Sequence, residues 1–180
     1  MVDIDDRDLE IGFTLDGLVV TDSTKIDHPM IEVSWYGAKS YCEFIGGRLP
    51  TEAEWERAAR GEMAQTFPWS NEPLESSLLT GWSLEGRSSV GGRTVDTSPH
   101  GVHDMAGNVA EWVQDWYAAE YYLTSPVQNP AGPETGDRRT VRGNALSPYP
   151  QDLRTTLRRR FRPRTTSNSI GFRCVYDVEQ

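Results

Sequence analysis

Apolar residues recur at three- and four-residue spacing in two early stretches of the chain. Behind Val33-Ser34, the positions Trp35, Ala38, Tyr41, Cys42 and Ile45 fall on one helical face, with Ser34 placed to cap the first turn and Gly46-Gly47 to end the helix. A second helix is expected from Thr51. Thr51 and Glu54 have capping-box spacing, Trp55, Ala58 and Ala59 supply the apolar stripe, and Gly61 is the stop. Upstream, Ile11–Val20 alternates around Asp16-Gly17 and reads as a short hairpin, and His28-Pro29 closes that region because a residue before proline is pushed out of helical space. After Gly61 the periodicity is lost in a stretch rich in Gly, Ser, Pro and Trp. Only Asn108–Val113, Thr140–Arg142 and Ile170–Val178 look like strands. Two helices followed by loops and brief strands predict a loop-rich α+β domain, whose loops need side-chain hydrogen bonds or bound ions to hold them.

Composition narrows this picture. The 180 residues fit one domain, and the low hydrophobic share of 37% is offset by six Trp, seven Tyr and five Phe. Two cysteines are too few for a disulfide scaffold or a four-cysteine zinc site, and suggest a reducing compartment. No apolar run approaches the ~18 residues needed to cross a bilayer, and the acidic start (Asp3, Asp5, Asp6, Asp8) is the opposite of a basic leader. A cytoplasmic protein with no membrane partner is the expectation. Charge is unevenly placed: from Arg138 to Arg173 there are ten arginines and a single acid, Asp152, inside a chain of net charge −9. Two readings stay open. The guanidinium groups either pair with the acidic remainder and knit the fold, or face an anionic ligand that their planar forks suit. Nucleic acid is disfavoured, because the net negative charge repels a polyanion.

A series of ordered segments then adds a family. His28-Pro29, Val33-Ser34-Trp35, Gly47-Arg48-Leu49-Pro50-Thr51-Glu52-Ala53-Glu54-Trp55-Glu56, Asp104-Met105-Ala106-Gly107-Asn108-Val109-Ala110-Glu111-Trp112-Val113, Val141-Arg142-Gly143 and Gly171-Phe172-Arg173-Cys174 occur in the order in which they resemble the formylglycine-generating-enzyme (sulfatase-modifying-factor) family. The resemblance implies a C-type-lectin-like fold, loop-rich, with two helices and short antiparallel strands. It divides the chain into an N-terminal extension, residues 1–27, and the family domain, residues 28–180. Family domains usually carry a longer portion before the His-Pro element, so the domain is minimal or cut, and the hairpin stands in for missing strands.

The oxidising members of that family bind copper through a cysteine pair in the segment after Arg-Gly-Gly. Here the segment runs Arg142-Gly143-Asn144-Ala145-Leu146-Ser147-Pro148-Tyr149-Pro150-Gln151-Asp152-Leu153, with Pro148 and Leu153 roughly where the pair would be. Neither offers a soft donor, so no copper is expected. Secreted members pair the positions matching Cys42 and Cys174, which implies that these two are neighbours in space. Oxidised, they close a long loop worth ~4–5 kcal/mol in the chain-entropy model; in a cytosol they are two buried thiols in contact. The resemblance also places a Ca²⁺ site on the side chains of Asp104 and Glu111 and the main-chain carbonyls of Gly107 and Val109, a hard-oxygen set that suits calcium. The alternative is that these carboxylates bridge loop amides with no metal. The family's second calcium site would need an Asn and an Asp near Ser76–Gly92, which that stretch lacks. His28, His100 and His103 show no convergent ligand pattern and read as structural or solvent-facing.

The segment up to Arg164 also resembles the region varied in the variable proteins of diversity-generating retroelements, which use this domain as a binding scaffold. Asn144, Leu146, Ser147, Tyr149, Asp152, Leu157, Arg159, Phe161, Arg162 and Arg164 are the candidate ligand-binding residues, since aromatics and arginine dominate recognition surfaces. Against this stands an ordinary segment in which Leu157 and Phe161 belong to the core. The sequence thus points to a non-catalytic domain presenting Asn144–Arg164 to a protein or anionic ligand. The retroelement resemblance adds a phage- or virion-associated setting. The other reading is a divergent metal-dependent oxidoreductase of the same family.

Overall fold

A computed structural model describes residues 11–14, 17–145 and 147–177. Strands β1 (Ile11–Thr14) and β2 (Gly17–Val20) pair antiparallel with Ile11 opposite Val20, which is the expected hairpin; Asp16 of its turn lies outside the described residues. Helix α1 (Trp35–Phe44) starts where expected, with the Ser34 hydroxyl accepting the Gly37 N–H at 3.2 Å. It buries Trp35, Ala38 and Cys42, a narrower face than the sequence suggested. Tyr41 is 53% exposed and meets the Phe172 ring edge-on at 5.6 Å. Ile45 is the C-cap, where the helical phase has already ended. Helix α2 (Glu52–Arg60) has the full capping box, buries Trp55 and Ala59 with Ala58 half-buried beside them, and stops at Gly61. Gly61 sits at φ +63°, and a Cβ there would come within 2.8 Å of the Pro99 ring.

The structure adds a third helix, α3 (Ser76–Glu85), inside the stretch read as irregular. Its signal was weak because only Leu79 and Trp82 are buried, its N-cap Glu75 makes no side-chain cap bond, and Gly81 interrupts it. Four strands make the sheet: β3 (Ala110–Trp116), β4 (Arg139–Arg142), β5 (Arg158–Phe161) and β6 (Ile170–Phe172), in the order β5-β4-β3-β6. β5, with its run of arginines, carried no strand signal. The expectation of antiparallel strands holds for β5-β4-β3 but not for β6, which runs parallel to β3 with Ala110 opposite Ile170. Beyond Phe172 the chain leaves the sheet and returns to pair Val175 with Arg48.

Two tryptophans fasten α1 to the sheet. Trp35 Nε1 donates to the carbonyl of Val113 at 2.8 Å, and Trp112 Nε1 donates to that of Val33 at 2.9 Å. Around them Val33, Trp35, Ala38, Cys42, Leu49, Trp112, Val141 and Ile170 form the main core. Cys42 and Cys174 are bridged, with their Cα atoms 5.4 Å apart, so the adjacency implied by the resemblance holds.

Candidate functional site

The ten arginines between 138 and 173 divide into two populations. Arg142 and Arg158 both reach Glu52, which is 1% exposed: Arg142 Nη1 donates to Oε1 at 2.9 Å, and Arg158 donates to Oε1 and Oε2 at 2.6 and 2.9 Å. Arg142 also donates to Glu56 at 2.8 Å and to the carbonyl of Thr155. The N–H of Glu52 in turn donates to Asp115, whose carboxyl is pushed up to about 6 by burial, partly offset by that backbone hydrogen bond. Arg173 closes a bidentate pair with Glu111 at 2.6 and 2.7 Å, and Arg139 lies 3.7 Å from the centre of the Trp35 ring and 3.5 Å from that of Trp116. These four knit the fold. The other six, Arg138, Arg154, Arg159, Arg160, Arg162 and Arg164, form no ion pair with a carboxylate among the described residues. The pairing reading therefore holds for these four arginines, and four of the other six, Arg159, Arg160, Arg162 and Arg164, lie on β5 or just after it.

The candidate ligand-binding residues are not all on one surface. Ser147, Tyr149 and Asp152 form a tight turn: the Ser147 hydroxyl donates to Asp152 at 2.7 Å and accepts the Tyr149 N–H at 3.2 Å, leaving the Tyr149 ring 60% exposed. Leu153 anchors that turn in the core cluster that also holds Phe67, Leu79 and Trp82. Arg162 and Arg164 are exposed, and Leu157 and Arg159 are half-buried. Two candidates face inward instead. Asn144 is buried, with its side-chain oxygen Oδ1 accepting the Ala145 N–H at 2.9 Å. Phe161 packs against the main core, its ring edge-on to Trp112 at 6.4 Å. Leu146 lies outside the described residues.

The acidic loop before β3 is built by a residue the sequence did not single out. Asp96 is fully buried and accepts the N–H groups of Ala106 and Gly107, at 2.8 Å for Gly107; burial pushes its carboxyl up to about 6, against those hydrogen bonds. Nothing local marks Asp96, which meets its partners from ten residues away. Beyond this anchor, Asp104 and Asn108 take left-handed backbone angles, φ 57° and 64°. One Asp104 oxygen accepts the Gly91 N–H at 2.8 Å, while the other is buried and has no hydrogen-bond partner. The carbonyls of Gly107 and Val109 are used by no loop or side-chain hydrogen bond among the described residues. Glu111, the fourth expected ligand, accepts from Trp55 Nε1 at 2.7 Å as well as from Arg173. This loop borders an open depression of about 560 Å³ that includes His28, Met30, His103, Asp104 and Phe172. His103 keeps its Nδ1 2.9 Å from the Thr97 hydroxyl, and among the described residues no three His, Cys, Asp or Glu side chains converge as metal ligands.

The sequence profile described as a sulfatase-modifying factor enzyme 1-like domain matches residues 14–178. The chain is 38% identical over 164 residues to the serine/threonine-protein kinase pkn1 of Chlamydia pneumoniae, covering 90% of this chain and 26% of that protein. It is 36% identical over 169 residues to the formylglycine-generating enzyme of Streptomyces coelicolor, covering 85% of this chain and 54% of that one. The inactive C-alpha-formylglycine-generating enzyme 2 of Bos taurus is 34% identical over 162 residues, covering 84% and 51%. Among solved structures, Treponema denticola variable protein 1 superposes with a TM-score of 0.70 at 24% identity, over 89% of this chain and 75% of that one. PvdO from Pseudomonas aeruginosa superposes at 0.68 and 26% identity, over 81% and 60%. The chain thus spans from about a quarter to little more than half the length of these curated relatives.

Proposed function

The chain belongs to the sulfatase-modifying factor enzyme 1-like family, and we propose that within it this domain recognises a protein or anionic ligand through its 144–164 surface without oxidising it. The observation that carries this reading is the sulfur chemistry. The sequence has two cysteines, and both are consumed in the Cys42–Cys174 bridge, with Cys42 on the buried face of α1. Pro148 and Leu153 stand in the segment where the oxidising relatives resemble one another in holding copper by thiolates, and neither side chain is a donor. The recognition half is supported by the free arginines and by the exposed Tyr149, a composition that supplies most of the energy at binding surfaces. Variation of Ser147, Tyr149, Asp152, Leu157, Arg159, Arg162 and Arg164 between copies of the gene would fit a retroelement-diversified member. Purified protein, supplied with copper, oxygen and a thiol reductant, is expected to leave a cysteine-containing sulfatase peptide unchanged by mass spectrometry. Conversion of that cysteine to the aldehyde overturns the reading.

Calcium is part of the same proposal. The residues fit it: a buried Asp104 oxygen without a partner and two unused carbonyls make a hard, oxygen-only set, with Glu111 beside them. Bound there, Ca²⁺ would neutralise the buried Asp104 carboxylate and cross-link the loop that leads into β3. The chain's own contribution is to hold that loop open through the Asp96 anchor and the Arg173–Glu111 pair. A hundredfold excess of calcium over its dissociation constant stabilises a folded state by about 2.7 kcal/mol, which for this size of domain raises the melting temperature by roughly 5–10 °C. Thermal melts in calcium and in EGTA are expected to differ by that amount, and Asp104→Ala to abolish the difference. Superimposable melts of the unaltered protein rule the site out.

A further inference from the structure

Strand β5 is an edge. β4 pairs one side of it over all four residues, from Arg139 opposite Phe161 to Arg142 opposite Arg158, and among the described residues no strand takes the other side. An unpaired edge offers N–H and C=O groups to any extended chain that its side chains tolerate. We infer that the β5 edge takes up an extended, acidic segment of a partner protein as an added strand.

Charge selects the occupant. Arg159 and Arg160 on β5, with Arg162 and Arg164 just beyond, form no ion pair among the described residues, so an approaching strand meets uncompensated positive charge. That field repels a second copy's β5 and any basic strand, and attracts one bearing carboxylates. The arginines differ in availability. Arg158 is spent on Glu52. Arg160 lies over the Tyr117 ring at 4.7 Å, a cation–π contact that does not use its hydrogen-bond donors. Arg162, two residues further on, is exposed. Carboxylates at alternate positions of the incoming segment would meet this pair, because side chains two apart on a strand share a face. Nucleic acid is the weaker occupant, since the chain's net charge of −9 opposes a long polyanion while a short acidic peptide feels mainly the local patch.

The inference rests on the recognition reading above for its surface, and its test is independent of the aldehyde assay. The probe is a fluorescein-labelled nonapeptide of alternating glutamate and valine, followed by anisotropy at about 50 mM salt, where exposed charges are weakly screened. Binding is expected. It should weaken by about tenfold or more in the double variant Arg160→Glu/Arg162→Glu, whose urea midpoint should fall only slightly, because both side chains are exposed and the Arg160–Tyr117 contact is the one packing interaction removed. An analogue with every backbone amide N-methylated keeps the carboxylates but cannot pair as a strand, and should also lose about tenfold or more. Full-strength binding of that analogue, equal affinity for an oligothymidylate of the same charge, or no binding of the nonapeptide overturns the inference. Each of these outcomes leaves an unchanged sulfatase peptide, and with it the non-oxidising reading, where it stood.

Discussion

Glu52→Gln is expected to cost the fold about 3–5 kcal/mol, read as a lower urea midpoint at an unchanged slope, because it strips the charge from a carboxylate facing two arginines. The substitution keeps size and shape, so cavity formation does not contribute. Arg142 is fully buried, and after the change its remaining partners are Glu56 and the carbonyl of Thr155. Arg158 loses two hydrogen bonds to a charged acceptor and keeps the carbonyls of Ala118 and Ala119, together with the rings of Tyr117 and Tyr122. A buried guanidinium that loses a counter-charge is costly, and the partly exposed Glu56 compensates Arg142 only in part while Arg158 keeps no carboxylate among the described residues. Glu54→Gln, two residues along the same helix, provides the contrast. Glu54 pairs with Arg48 at the surface, and glutamine can still complete the capping box, so a loss below about 1 kcal/mol is expected. Equal effects of the two substitutions would mean that the buried cluster does not carry the weight assigned to it.

Cys42→Ala combined with Cys174→Ala is expected to be comparably damaging. The bridge joins residues 132 apart in sequence, and opening so long a loop in the unfolded chain releases entropy worth ~4–5 kcal/mol in the chain-entropy model. For a domain of this size that corresponds to a fall in melting temperature of the order of 10 °C or more. Reduction of the unaltered protein should reproduce most of the fall. The bridge fastens the chain after β6 to α1, and Cys42 is wholly buried. Ellman titration should therefore find no reactive thiol in the native oxidised protein. Identical melts with and without reductant, or two thiols that react without denaturant, would contradict the assignment.

The parts of this protein that could be read along the chain are those whose physics is local. The α1 cap at Ser34, the Thr51–Glu54 capping box, the stop at Gly61 and the hairpin of Ile11–Val20 each depend on residues a few positions apart, and all are found where expected. Family membership was legible for the same reason, since its marks are short contiguous motifs. α3 was missed because two buried residues make too faint a stripe, and β5 because a strand of arginines resembles solvent-facing chain. Asn144 and Phe161 were grouped with the candidate binding residues because sequence neighbours share a segment, whereas in the fold Asn144 is buried and Phe161 packs against the core.

Which arginines are structural could not be known before the chain was folded. Arg142 finds Glu52 across 90 residues and Arg173 finds Glu111 across 62, while Arg160 and Arg162, of the same residue type and in the same run, find no carboxylate among the described residues. A guanidinium has the same appetite at every position. Whether folding delivers a counter-charge within hydrogen-bonding reach is a property of the path of the whole backbone, and that alone separated the arginines that hold this domain together from those that find no carboxylate among the described residues.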